Sequence, residues 1–472
     1  MDKNRYILIY GYLLARIYFG FYPKGKALPS IYQLSKMFGV STITSREAIR
    51  LLKEKGYVAG SHGKRTIVIF DRSKSGKPPL DIFAEKETLE DLFQSLYLLV
   101  PSVFYQSYLV CGEQELEHLE KILDVFTEVW DEKSLHYLFY LVSRLNNPLL
   151  NDLYADTLLY SYPAHLLRFY NEPDWEETYK KLESDSRKMI DLRKRGEHKA
   201  LWKALHTTYL AYDPEYASVD RRKSPKQTYT WGKKDICHSI ARELIYRIYC
   251  EIYPASTFLP SPKILSQEFS SPIITIRRAI GLLNKLGVTE SINGKGTKVL
   301  SIAEGREKIR WSEPSVRKSI MTYFHALHIF AMNCKSVAEA LFPYMDKAKR
   351  ELARNKIIAA KESGYTEAVA GICFSALLEN SHLCAIREIY LRLEDLLLWG
   401  YPLVYIAPRL HMDDWVDMLV AGIDSGNGSL FAQGLEQIVR TIFVSSRKKI
   451  LSVGIDAAKR IELPALSPVP LS

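Results

Sequence analysis

The feature that most constrains this chain is a repeat of its own sequence at an interval of 231 residues. Residues 28–68 align on residues 259–299 without a gap. Three separated blocks keep their identity and spacing: Leu28-Pro29-Ser30 with Leu259-Pro260-Ser261, Ala48-Ile49 with Ala279-Ile280, and Gly63-Lys64 with Gly294-Lys295. A repeat unit this long indicates a duplicated set of domains, because solenoid repeats are much shorter.

Each copy has the pattern of three helices followed by a two-stranded hairpin. One face of the third helix is apolar at the i, i+3, i+4, i+7 spacing. In the second copy this face consists of Ile276, Ala279, Ile280 and Leu283, and in the first copy of Ser45, Ala48, Ile49 and Leu52. Gly56 and Gly287 follow these helices as C-cap glycines would. In the first copy Thr44 and Arg46 are expected to point outward. A helix-turn-helix with a basic hairpin presents one helix to the major groove of DNA.

These residues resemble the winged-helix domain of the GntR family of bacterial transcription regulators. The family pattern is approximately L-P-S-E-R-E-L-A, then G-V-S-R-x-T-V-R-x-A-L, then a G-x-G-T hairpin called the wing. The resemblance covers residues 5–70 and 236–300. The copies depart from the pattern at Tyr32 and Lys263, at Thr42 and Ile273, at Arg65 in the first wing, and at Ser270-Ser271-Pro272, which replaces the Gly-Val-Ser turn. The resemblance therefore implies a fold more firmly than it implies a DNA sequence.

A winged helix followed by an all-α domain looks like the FadR branch of this family. The resemblance implies a mainly α chain with two winged helix-turn-helix domains, each followed by an all-α, FadR-like helical bundle. The predicted domains are 1–72, 80–220, 230–302 and 312–462, followed by a disordered tail at 463–472. Polar segments at 71–79 and 221–226 are predicted linkers.

The positive charge of the chain is concentrated in the two copies. Residues 1–80 contain 15 Lys and Arg against 4 Asp and Glu, and residues 221–303 contain 14 against 5. Because the whole chain carries +10, the remainder is net negative. Two separate basic regions indicate a polyanionic partner. Because both regions lie on motifs that resemble DNA-binding domains, the expected partner is double-stranded DNA.

The resemblance also implies which residues contact DNA. Arg46 and Arg277, on the third helix of each copy, are expected to contact base edges or adjacent phosphates. Wing residues are expected to contact a neighbouring groove, and the serines that begin the second helices are expected to contact phosphate. The predicted set is Ser30, Thr44, Arg46, Lys64, Arg65, Ser261, Lys263, Thr275, Arg277, Arg278 and Lys295.

Two functions from different classes fit these features. The first is a transcription regulator that binds an asymmetric operator through both copies as an intramolecular pseudo-dimer, with further homodimerisation left open. The second is a degenerate regulator that acts as a protein–protein interaction module, which the apolar segment Pro272-Ile273-Ile274 favours. An enzyme is not expected, since the chain lacks a P-loop, a Gly-x-Ser-x-Gly elbow, a metallohydrolase motif and a cysteine–histidine signature.

Many helical domains of the FadR branch hold a divalent metal at four positions. Alignment on Asn147-Pro148 and on Gly196 puts Ser134, Leu138, Ser186 and Thr208 at those positions, and the second helical domain has Gly371, Val416 and Ile438. None of these is a competent ligand, so neither the metal nor another cofactor is expected. His136, His198 and His206 lie off register and are interpreted as surface or hydrogen-bonded histidines.

A small organic effector is a further expected partner. Tyrosines of the first helical domain could line its pocket, although aromatic residues at helical spacing more often fill a core. These tyrosines are Tyr154, Tyr160, Tyr162 and Tyr170. Either Arg144 or Arg168 could bind a carboxylate, and the sequence leaves both open.

The remaining sequence features concern the compartment. The six cysteines have no C-x-x-C spacing, which is typical of free thiols in a reducing environment. No secretory signal and no apolar run approaching ~18 residues is visible. These features predict a cytoplasmic protein without a membrane segment.

Overall fold

The computed structural model describes residues 5–60, 65–71, 86–124, 130–171, 175–212, 229–231, 236–249, 251–379, 381–406 and 410–466. Within these ranges the chain is mainly helical, with two small antiparallel sheets. The wing residue Lys64, linker residues 72–79 and 221–226 and tail residues 467–472 lie outside the described residues, as do the side chains of Arg168 and Tyr170. No described helix is long and apolar enough to cross a membrane.

The N-terminal module consists of three helices and a hairpin. The elements are α1 (Arg5–Tyr18), α2 (Ile31–Phe38), α3 (Thr42–Glu54), β1 (Val58–Ala59) and β2 (Ile67–Val68). Val58 pairs with Val68, and Ala27 adds an antiparallel bridge to Ile67. The predicted order of helices and hairpin is therefore confirmed for this module.

Local signals set the sharp turn between α2 and α3. Ser30 and Gln33 form a capping box at the start of α2, with the Gln33 N–H donating to Ser30 Oγ at 3.2 Å. Gly39 ends α2 at φ 61°, a left-handed conformation that favours glycine. Ser41 then caps α3, accepting from the Thr44 N–H at 3.1 Å. The apolar face predicted for α3 is buried.

The same order of elements recurs 231 residues later. They are α11 (Ile236–Tyr249), α12 (Pro262–Glu268), α13 (Ile273–Lys285), β3 (Thr289–Ile292) and β4 (Gly296–Val299). Phe258 bridges to Lys298, the counterpart of the Ala27–Ile67 bridge. The predicted apolar face of α13 is buried. Ser270 takes the place of Gly39 and also has a positive φ, at 47°.

Helices make up both of the longer regions. The first contains α4 (Lys86–Tyr97), α5 (Val100–Val110), α6 (Glu113–Asp124), α7 (Trp130–Ser143), α8 (Pro148–Asn171), α9 (Trp175–Lys194) and α10 (His198–Tyr212). The second contains α14 (Ile302–Lys308), α15 (Pro314–Leu341), α16 (Lys347–Glu362), α17 (Val369–Glu379), α18 (Cys384–Leu397), α19 (Asp413–Ser425) and α20 (Gly428–Ser452). Short 3-10 helices include Leu398–Tyr405 and Asp456–Arg460.

The two helical regions share one hydrophobic core. Leu96, Val103 and Leu153 of the first region belong to the same buried cluster as α15, α18 and α20 of the second. Tyr108, Leu119 and the inner face of α10 form a separate cluster within the first region. The domains predicted at 80–220 and 312–462 are therefore joined by apolar packing, which is the main driving force for association.

Polar contacts at this junction follow a reciprocal pattern. On α4, Asp91 accepts from the backbone N–H groups of Cys384 (2.6 Å) and Ala385 (2.7 Å) at the start of α18. On α15, the carbonyl of His325 accepts from the Asn147 side chain (2.9 Å), just before α8. One helix of each region thus contacts the N-terminus of the corresponding helix in the other region.

Each module packs on a helix whose start lies at this junction. On the first module, Arg16 is fully buried and donates to the hydroxyl of Tyr162 on α8 at 3.0 Å. On the second module, Ser239 of α11 donates to Asp395 of α18 at 3.0 Å. The hydroxyl of Tyr405 also donates to the Gly287 carbonyl at 2.9 Å.

The predicted disordered tail at 463–472 needs a correction at its start. Residues 463–466 are ordered, because the backbone of Ala465 exchanges two hydrogen bonds with the side chain of Gln106 (2.9 and 3.0 Å). The three prolines favoured disorder, but Ala465 has a polar partner in the first helical region that the local composition could not reveal.

Replacing Asp91 with alanine is expected to destabilise the whole protein. The substitution removes the acceptor from two backbone N–H groups at the junction, which costs about 1–3 kcal/mol of unfolding free energy per buried unsatisfied group. Chemical denaturation measures the loss. Asp346→Ala is the matched control, because exposed Asp346 caps α16 within its own region (Lys349 N–H, 2.9 Å) and should cost only about 1 kcal/mol. Equal losses for both variants would contradict a special role for the junction.

The histidines of α15 predict a loss of stability in acid. Burial lowers the pKa of His325 to about 4 and that of His328 to about 3. The unfolded chain binds protons below its ordinary pKa of about 6.5, whereas the folded chain does not until pH 4 to 3. Stability should therefore fall as the pH falls from about 6.5 to 4, by up to about 1.4 kcal/mol per pH unit for each histidine.

Urea unfolding at several pH values measures this slope. His328→Gln should reduce the slope between pH 6 and 4, because glutamine does not take up a proton. His198→Gln is the control, since His198 lies on the surface. An unchanged slope in the His328 variant would show that other groups cause the acid loss.

Candidate nucleic-acid interface

The exposed face of α3 carries an arginine without a neutralising partner. Arg46 is exposed, and within the described ranges its side chain makes no hydrogen bond or ion pair. Ile43 and Arg50 lie three and four residues away on the same face. Arg50, by contrast, is held by Glu47 at 2.8 Å and by Glu54. Arg46 is thus the arginine of this helix that remains available to an anion.

The corresponding helix of the second module repeats this arrangement. Arg277 and Arg278 are exposed, and neither side chain has a hydrogen-bonding or ionic partner in the part of the chain that is described. Gly281 stands at the place of Arg50 and leaves the surface there open. Arg277 therefore matches Arg46 in position, exposure and lack of a partner.

Arg247 and Lys298, two other cations of the modules, are neutralised within the protein. Arg247 pairs with Glu243 at 2.8 Å and with Glu268, and these partners raise its pKa. Lys298 pairs with Glu304 at 2.8 Å. Arg46, Arg277 and Arg278 differ from these two cations, because among the described residues they present unpaired positive charge that can attract a phosphate backbone.

Six of the other predicted contact residues are exposed and could reach a ligand. Arg65 and Lys295 belong to the hairpins, Lys263 lies in the first turn of α12, and Arg278 lies on α13. Ser30 and Ser261 are exposed but are occupied as helix caps, with Ser261 Oγ accepting from the Ile264 N–H at 3.4 Å.

The expected outward position of Thr44 is wrong. Thr44 is only 6% exposed, and its hydroxyl shares a hydrogen bond of 2.8 Å with Ser41. The periodicity put it beside Arg46, but its short side chain turns back to the cap at the start of α3. Thr275 of the second module is half-buried.

The structure adds two side chains that were absent from the predicted set. Ile43 is 54% exposed and Ile274 is 59% exposed, at the same place in the first turn of α3 and α13. The prediction considered only apolar residues that fit the buried face of each helix. Ile43 and Ile274 could have been found from the fact that both copies have an isoleucine outside that face.

A separate cavity lies inside the first helical region. It has a volume of about 220 Å³, and the described side chains that line it are apolar or hydroxylic, with no charged residue among them. The four aligned metal positions all line it: Ser134, Leu138, Ser186 and Thr208. Their convergence supports the alignment. Without imidazole or carboxylate, these four side chains do not suit a metal ion.

The residues predicted to bind an effector lie in different places. Tyr154 and Tyr162 line the cavity, while Tyr160 packs against Tyr229. Arg144 instead lines a polar cavity of about 160 Å³ beside His328 and Arg460, between the helical regions. It therefore lies away from the apolar cavity.

The predicted histidine roles agree with the structure. His136 and His198 are exposed, and buried His206 shares a hydrogen bond of 2.9 Å with the Trp202 carbonyl. In the second helical region, Val416 and Ile438 are fully buried in the shared core. Across the described residues, no group of three or more His, Cys, Asp or Glu could hold a metal ion.

Three helices with a capped turn and an antiparallel hairpin make the N-terminal module a winged helix-turn-helix domain. Residues 6–68 match the family model described as bacterial regulatory proteins, gntR family. This module is therefore a gntR-family domain.

Curated relatives match over limited stretches. The "Fatty acid metabolism regulator protein" of Vibrio vulnificus (strain YJ016) is 28% identical over 131 residues, which cover 25% of this chain and 47% of that protein. The "HTH-type transcriptional regulator TreR" of Bacillus subtilis (strain 168) is 30% identical over 92 residues, covering 20% and 38%. The chain thus spans less than half the length of each. Both are named as regulators, which is consistent with the prediction of a non-enzyme.

Solved structures resemble the chain weakly. The structure named "Streptococcus agalactiae GntR" covers 44% of this chain and 99% of its own, at 14% identity and a TM-score of 0.21. The structure named "Lar controls the expression of the Listeria monocytogenes agr system and mediates virulence" covers 47% and 98%, at 16% identity and a TM-score of 0.25. The match to the family model is confined to residues 6–68.

Proposed function

We propose that this chain is a transcription regulator that binds operator DNA through two winged-helix modules. The observation that carries the proposal is the pair Arg46 and Arg277, exposed and unpaired among the described residues at the same place on α3 and α13. An arginine on the second helix of a helix-turn-helix can reach guanine in the major groove. The names of the curated relatives agree with this function.

We propose further that residues 236–299 are a second winged-helix domain, derived from the same unit as the first. The support is the common order of elements, the matching bridge at Phe258–Lys298 and the unbroken offset of 231 residues. Ser270 supports it as well, since it keeps the positive φ of the Gly39 turn although a non-glycine residue rarely adopts it.

The chain would act as an intramolecular pseudo-dimer. The support is the reciprocal junction, where α4 contacts the start of α18 and α15 contacts the start of α8. A two-fold homodimer has this property, because each subunit uses the same patch on the other. One chain would then present two modules to two half-sites, and the operator would be asymmetric because the modules differ.

The alternative is a module that binds another protein and no specific DNA sequence. The exposed Ile273 and Ile274 are the observation in its favour. The unpaired arginines beside them favour DNA, since an apolar protein contact would leave these charges without partners. Selection from a random duplex library separates the two, because a protein-binding module would enrich no sequence.

Replacing Arg46 or Arg277 with alanine is expected to weaken binding to the selected duplex. Loss of a bidentate contact to guanine costs about 1–3 kcal/mol, roughly a 5- to 150-fold loss of affinity. Fluorescence anisotropy at several salt concentrations measures both the affinity and its salt dependence. Arg195→Ala is the control, since it removes the same charge from the exposed surface of the first helical region. Changes below twofold for both module variants would contradict the proposed contacts.

We propose that the apolar cavity of the first helical region is the site of a small organic effector. Its lining offers hydroxyl groups, including Ser161 and Thr157, and no described cation. An uncharged, largely apolar molecule fits this lining, because a buried carboxylate would lack a partner there. The closeness of Tyr162 to both the cavity and Arg16 would let an occupant influence the first module.

Decanol is expected to raise the melting temperature of the protein, and decanoate at pH 8 is expected to raise it less. A ligand at 100 times its Kd stabilises by about 2.7 kcal/mol. Leu138→Trp, which fills the cavity, should abolish the response, whereas Leu352→Trp, at an exposed position of α16, should preserve it. Equal stabilisation of wild type and Leu138→Trp would place the ligand elsewhere.

A further inference from the structure

Two exposed isoleucines occupy the part of each module that would enter the major groove. Ile43 and Ile274 are 54% and 59% exposed, and each lies three residues before the unpaired arginine of its helix. Residues at i and i+3 lie side by side on a helix. Each module therefore presents an isoleucine and an arginine together on the exposed face of α3 or α13.

Neither isoleucine contributes to the core of its module. The buried clusters of the two modules contain Ile49 and Ile280, but Ile43 and Ile274 are absent both from them and from the partly buried side chains packed around them. The face is otherwise variable between the modules: Thr42 corresponds to Ile273, and Arg50 corresponds to Gly281. The isoleucine and the arginine are the exposed pair that both copies retain.

The major groove offers a specific partner for such a side chain. Thymine is the base that presents an apolar group there, its 5-methyl, while guanine presents two acceptors to arginine. An isoleucine beside an arginine is thus complementary to a thymine near a guanine. The surrounding positive charge, with Lys263 and Arg278 also exposed, fits the phosphates of the same duplex.

We propose that Ile43 and Ile274 are specificity-determining residues, each of which contacts the 5-methyl group of one thymine in its half-site. This inference rests on the proposed DNA-binding function and adds a base that each module reads. It assigns the exposed isoleucines to DNA and not to a partner protein.

The test uses the full chain and a duplex obtained by selection from a random library. Each thymine is replaced in turn by deoxyuridine, which removes the 5-methyl group and leaves base pairing intact. Wild type should lose affinity about three- to fivefold at one thymine in each half-site, the effect expected for one buried methyl group. Ile43→Ala should lose this sensitivity at one thymine and Ile274→Ala at the other.

Ile302→Ala is the matched control, because Ile302 is 54% exposed on α14, outside both helix-turn-helix units. It should keep both thymine effects. Thermal melts confirm that the three variants fold, as expected for substitutions at exposed positions. If wild type binds the duplex tightly but tolerates deoxyuridine everywhere, the inference is wrong and the proposed function stands. If no duplex is enriched, both are wrong.

Discussion

The contact between the two helical regions is the constraint on which the rest of the structure depends. Helices α8 and α18 begin at this contact, where Asn147 and Asp91 are among the residues that make polar bonds between the regions. The same two helices also contact the modules. Tyr162 of α8 accepts a hydrogen bond from α1, and Asp395 of α18 accepts one from α11. Both modules therefore pack on helices that begin at the junction.

Residues that align at the offset of 231 have different surroundings in the two modules. Arg16 and Arg247 align in the repeat, yet Arg16 is buried among tyrosine rings while Arg247 pairs with acidic neighbours. Tyr162, whose hydroxyl accepts a hydrogen bond from Arg16, belongs to α8, and this helix also lines the apolar cavity of the first helical region. The second region places Val416 and Ile438 in its core at the aligned positions. Aligned positions of the two halves therefore differ in their packing and in their polar partners.

The candidate interface was predictable where it depended on local pattern. Arg46 and Arg277 were placed correctly on exposed faces, since a 3.6-residue period fixes which side of a helix is buried. The same periodicity predicted the wrong position for Thr44, whose hydroxyl shares a hydrogen bond of 2.8 Å with Ser41. A short side chain near a helix cap follows the nearest hydrogen-bonding partner, and periodicity does not describe that choice. The exposed Ile43 was missed because an apolar residue off the buried face breaks the pattern that the prediction used.

By itself the sequence determined the three-helix-and-hairpin unit, its capping serines, the glycines at the helix ends and the second occurrence of that unit. These features depend on interactions between residues a few positions apart, so a short segment of sequence is enough to determine each of them. Only the tertiary structure decided that the helical regions share a core, that Asp91 caps a helix 293 residues away, and that the tail contacts Gln106. Such contacts join residues far apart in the chain, and one sequence without its fold does not indicate which distant apolar faces will be buried together.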